Sequence, residues 1–134
     1  MPDGGTFPNY QNDPAGAIPV YIVGDSAGGV TPRAGSASAI AVGGTAVVLI
    51  AGPCAGGYVT NPPTAASQGI AATDIAENVY VDPVASPGST DATGNGTTAL
   101  LQPGQTFTVP ALAPGTMLRA NAATSGHKLT VVVW

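Results

Sequence analysis

Few residues of this chain can do covalent or proton-transfer chemistry: one cysteine, Cys54, one histidine, His127, and seven acids. A nucleophilic mechanism would set His127 beside Cys54 or a serine, because a thiol or hydroxyl needs a base within hydrogen-bond reach. His127 follows Ser125-Gly126 and opens an apolar alternation, so it reads as an exposed turn histidine. Cys54 lies between Pro53 and Ala55 with no neighbouring cation to favour a thiolate, so it reads as a buried, inert thiol. One Cys and one His do not build a zinc site. The carboxylate pairs that could serve glycoside hydrolysis are Asp74 with Glu77 and Asp82 with Asp91. All four read as solvated turn residues. Asp91, Asn95 and loop carbonyls could meet a calcium ion, but their spacing is not that of a helix-flanked calcium loop, and one carboxylate binds weakly. Gly24–Gly29 and Gly94–Gly96 lack the lysine and following helix that cradle phosphate. Tyr58, Tyr80 and Trp134 could stack on sugar, but each reads as a core or interface aromatic. The expectation is a non-enzymatic protein with no catalytic residues, no metal and no cofactor.

The bulk composition narrows the partners. Only 7% of the 134 residues are charged, where about a quarter is typical. Arg33, Arg119 and Lys128 are the fixed positive charges against a net −4. Nucleic acid requires several phosphate-neutralising cations, and a polybasic membrane patch requires the same, so neither partner is expected. Disordered chains are polar and charged, whereas this one is 44% hydrophobic with a mean hydropathy of +0.27. With 19 Gly and 13 Pro, that points to short strands and many turns. So uncharged a surface is either covered by partners or belongs to a neutral β domain. A single Cys excludes an intrachain disulfide framework and favours synthesis in a reducing cytosol. The N-terminus shows no basic and apolar leader pattern, so no signal peptide is expected and the sequon Asn95-Gly-Thr97 carries no meaning. The apolar run Thr45–Ala51 is far too short to cross a bilayer.

The elements divide the chain into an extended Gly/Pro-rich N-terminal arm at 1–17, an edge strand and linker at 18–44, and a β-sandwich domain at 45–134. In the arm, Phe7 and Tyr10 are candidate partner-binding residues, with a frayed terminus as the alternative. Pro19 gives no ladder hydrogen bond, which sets the strand Ile18–Val23 at an edge or between subunits. A short strand is possible at Ser38–Val42. Thr45–Ala51, apolar and β-branched, reads as a central strand buried on both faces. Residues 64–77 carry a weak helical pattern that Gly69 opposes, so a loop with a short strand is favoured. From Asn78 a meander of four strands follows, closing with Leu129, Val131 and Val133 on one face and Lys128, Thr130, Val132 and Trp134 on the other. The fold class is all-β, an antiparallel sandwich or jelly roll. Tyr21, Val23, Val132 and Trp134 are candidate oligomer-interface residues.

Several stretches resemble small tailed-phage virion proteins: Asn78-Val-Tyr-Val, Leu101-Gln-Pro-Gly-Gln-Thr-Phe107, Arg119-Ala-Asn-Ala122, Ser125-Gly-His-Lys-Leu-Thr-Val-Val-Val133, and Ala17–Val23 near the N-terminus. The resemblance implies a β-sandwich of the kind found in capsid decoration (cement) proteins, head fibres and tail knobs. It implies a virion location on the capsid exterior, the major capsid protein as partner, and a homo-oligomer, a trimer being favoured. It carries over no catalytic residue. The alternative within it is a fibre or tail module that binds host-surface glycan at the loops Pro83–Gly96 and Pro110–Gly115.

Overall fold

The computed structural model describes residues 29–89 and 96–134. Phe7, Tyr10, Tyr21, Val23, Asp91 and Asn95 therefore lie outside the described residues. Pro32–Trp134 form one compact unit. The described residues carry ten strands and no helix. They are β1 (Arg33–Ala34), β2 (Ala39–Ile40), β3 (Val47–Ala51), β4 (Gly57–Thr60), β5 (Val79–Asp82), β6 (Ala99–Leu101), β7 (Thr106–Val109), β8 (Met117–Asn121), β9 (His127–Lys128) and β10 (Thr130–Val133).

The pairing has one simple rule. β1 pairs with β10, β2 with β9, β3 with β8, β4 with β7 and β5 with β6, all antiparallel. The chain thus runs out along one strand of a long ribbon and returns along the other. Rolling that ribbon adds two contacts, β10 with β4 and β5 with β8. The result is two four-stranded sheets, β1-β10-β4-β7 and β3-β8-β5-β6, with the short β2-β9 pair between them in the winding. This is the strand order of a jelly roll, in an all-β antiparallel sandwich. Residues 33–40, read from sequence within the linker, supply β1 and β2. The expected C-terminal meander is not formed, because β6 and β7 fall in different sheets.

Alternation explains most of the core. Leu129, Val131 and Val133 point inward with Val59 and Val109 from one sheet, and Leu118, Ala120, Val79, Val81 and Leu101 meet them from the other. Each such apolar side chain contributes roughly 1.5–3 kcal/mol on burial. β3 corrects the expectation of a central strand. It lies at a sheet edge, Val47 and Val48 are half-buried, and a register shift between Val48 and Ile50 turns both Leu49 and Ile50 inward. The extra residue of a bulge is what lets two successive side chains face the core. The Leu49 carbonyl is not left bare; it accepts the Ser36 N–H at 2.7 Å.

β5 departs from alternation in a different way. All four of its residues are buried. Val79 and Val81 face the core, while Tyr80 and Asp82 face outward and are covered. The described parts of the connection after β5, residues 83–89 and 96–98, reach that outer face. Pro87 accepts a hydrogen bond from Asn121 Nδ2 at 3.0 Å, and Thr97 and Thr98 reach Asp82.

Candidate functional site

In an antiparallel winding, successive connections alternate between the two ends of the sandwich. One end gathers the connections β4–β5, β6–β7 and β8–β9. The other gathers β3–β4, β5–β6 and β7–β8. The two ends carry different chemistry.

At the first end a polar network is buried. His127, expected at an exposed turn, is fully buried. Its Nδ1 lies 3.1 Å from Glu77 Oε1 and its Nε2 lies 2.9 Å from Asn61 Oδ1. Asn61 Nδ2 donates to the carbonyls of Glu77 and Leu101 at 2.9 and 3.0 Å, which fixes the amide with its oxygen toward the imidazole. Gln68 Nε2 donates to Asn61 Oδ1 and to the carbonyls of Pro62 and Glu77, while its Oε1 accepts the Glu77 N–H. The Thr124 hydroxyl and N–H both donate to the Glu77 carboxylate. Both imidazole nitrogens therefore face oxygens, one of a carboxylate and one of an amide. Burial pushes the Glu77 carboxyl up, but the hydrogen bonds from Thr124 and His127 and the charge of His127 outweigh it and hold it below its ordinary range. Neither Glu77 nor His127 is the solvated residue expected from sequence. A His–Glu pair can serve as a base, but here Nε2 is occupied by an amide rather than a hydroxyl. The arrangement clamps β9 to the long β4–β5 connection.

At the second end the walls are built by two turns. Asp82, also expected in solvent, is fully buried at the end of β5. Its Oδ1 accepts the N–H groups of Val84 and Ala85 at 2.7 and 2.8 Å, and the Thr97 and Thr98 hydroxyls donate to the same carboxylate. Burial raises the carboxyl, and these four donors more than offset it, leaving Asp82 below its ordinary range. The β7–β8 turn is held by the Thr116 hydroxyl and N–H donating to the Ala113 carbonyl, and by the Gly52 N–H donating to the Thr116 carbonyl. Gly115 sits at φ +85°, a backbone region that other residues seldom adopt. Between the two turns lies an open depression of ≈ 310 Å³ lined by Pro83, Val84, Gly115, Thr116, Met117 and Arg119. Pro83, Val84 and Gly115 belong to the two loops expected from sequence to meet a glycan, while Thr116, Met117 and Arg119 lie just beyond them.

A third feature is the outer face of β10 and β4. Val132 is the cross-strand partner of Tyr58, and the Tyr58 and Trp134 rings lie 6.4 Å apart at 58°. Gly56 gives the indole room, since a Cβ there would meet Trp134 Nε1 at 3.1 Å. Tyr58 is 37% exposed, and Val132 and Trp134 are half-buried within this one chain. Cys54 is half-buried rather than buried and pairs with Leu112 through its backbone. Asp74 is exposed, as expected, and does not join Glu77 at a common site. Among the described residues, no three of His, Cys, Asp and Glu gather around a common point.

Sequence reasoning missed Asn61, Gln68, Thr124 and Arg119. The first three lie beyond strand ends, where no period marks them. Arg119 was visible only as one of the three fixed positive charges and not as a site residue.

Compared with known proteins, the chain matches no family model, no curated protein and no solved structure.

Proposed function

We propose that this protein is a phage virion structural component, a capsid decoration protein that binds the head lattice as a homo-oligomer. The observation that carries this reading is the aromatic and β-branched face of Tyr58, Val132 and Trp134 on a chain with only 7% charged residues. An apolar outer face on a sheet that already has its core on the other side is a surface made for a partner. The jelly-roll order supports the same reading by analogy, because that winding recurs in viral capsid domains and in lectins. Further support comes from the resemblance of 78–134 to small tailed-phage virion proteins. The test is copy number. Mass spectrometry of purified particles is expected to give this chain in a simple fraction of the major capsid protein. Absence from particles would overturn the reading.

A second reading has its own observation. The depression between the turns at Pro83–Val84 and Gly115–Thr116 favours a fibre or tail-knob module that binds host-surface glycan. A handful of copies per particle is its expected signature.

A further inference from the structure

Arg119 stands on the outer side of β8, opposite to the inward Leu118 and Ala120. It is half-buried at the depression, and it makes no hydrogen bond or ion pair with any described residue. Its register partner across β5 and β8 is Asp82. That carboxylate is already committed to the Val84 and Ala85 amides and to the Thr97 and Thr98 hydroxyls. A guanidinium that is partly desolvated and left without an acceptor among the described residues is poised for one from outside, and its planar fork matches a carboxylate in bidentate fashion. The walls around it are apolar: Pro83, Val84 and Met117, with Val84 67% exposed. A volume of ≈ 310 Å³ lies at the small end for ligand sites and suits one sugar ring rather than a chain.

We propose that the depression between the β5–β6 and β7–β8 turns binds an acidic monosaccharide unit, its carboxylate paired with Arg119 and its ring against Pro83, Val84 and Met117. This rests on the glycan-binding reading of these loops and names its ligand class. Asp82 acts as a positioning residue: its hydrogen bonds to Val84 and Ala85 shape one wall while leaving the Arg119 fork free. The net charge of −4 opposes anions at long range, so the contact must be local and weaken with added salt.

The test is an NMR titration of the full chain with sodium glucuronate, with methyl glucoside and sodium acetate as comparison probes. Glucuronate is expected to shift the amides of Val84, Thr116 and Met117 and the Arg119 Nε–H. R119Q is expected to weaken it roughly tenfold or more, and R119K to restore only part, because lysine keeps the charge without the fork. Unchanged R119Q amide positions away from the site would show that the variant is folded. Equal affinity for acetate, or undiminished binding by R119Q, would overturn the proposal. Binding of methyl glucoside as tight as glucuronate would also overturn it while leaving a neutral-glycan module standing. No shift with either sugar would remove this proposal and the glycan reading together.

Discussion

Two carboxylates, fully buried Asp82 and half-buried Glu77, are expected to set the acid sensitivity of the molecule. Each is held by donors from segments distant in sequence: Thr124 and His127 for Glu77, Thr97 and Thr98 for Asp82. Replacing either by its amide removes charge-assisted hydrogen bonds and sets an amide NH₂ against a donor, so E77Q and D82N are each expected to cost about 2 kcal/mol near pH 7. The pH dependence has a definite sign. In the unfolded chain the groups take up protons near their ordinary values of 4.5 and 3.8, and in the folded chain they do so at lower pH. In that interval the unfolded state binds more protons, so stability rises with pH. The contribution is present in full above the ordinary values and is lost as pH falls through the folded ones. Thermal melts of wild type, E77Q and D82N between neutral and acid pH are expected to converge as pH falls. A gap that stays constant across the range would show that ionisation is not what holds these sites.

The elements show which physics a sequence carries openly. Alternation in 127–134 marked Leu129, Val131 and Val133 as the inward face, and they are inward. In β7 the same alternation holds, with Val109 buried and Thr106 and Thr108 exposed. What alternation does not carry is coverage from outside. Tyr80 and Asp82 point away from the core, and the return of the β5–β6 connection buries them, an event encoded far from β5. The β3 bulge was hidden for a related reason, since a continuous apolar run does not show where one residue is added. The His127 clamp was illegible because Asn61, Gln68 and Glu77 come together only once β4 and β9 are placed. Gly57 is a test at this scale. It opens β4 opposite Val133, where a Cβ would strike the Val132 carbonyl oxygen and lie 3.0 Å from Val133 Cα. The obstacle is backbone on a paired strand, so no side chain can swing aside. Gly57→Ala is expected to destabilise by about 1–3 kcal/mol through forced separation of β4 from β10. Chemical denaturation would measure it, and a loss within a few tenths of a kcal/mol of zero would mean the strands part more easily than their hydrogen bonding implies.

At the scale of the whole molecule, the winding leaves two ends and two outer faces with different tasks. The end clamped by His127 and Glu77 is tied by side chains from the β4–β5 and β8–β9 connections and from β9, while the opposite end presents open turns. One outer face is covered by the β5–β6 connection, and the other, on β10 and β4, carries Tyr58, Val132 and Trp134. On the proposed reading the chain associates through the face that it leaves half-open. Burial of an aromatic anchor at the centre of such an interface is worth about 2 kcal/mol or more per subunit, roughly a thirtyfold change in dissociation constant. Trp134→Ala is therefore expected to shift the native mass from an oligomer, a trimer being favoured, toward the monomer at micromolar concentration. Native mass spectrometry or sedimentation would read this directly. Because Trp134 follows β10 and its ring rests against Gly56 at the surface, the variant should keep its core, and circular dichroism would confirm that. An unchanged mass with an intact fold would remove Trp134 from the interface.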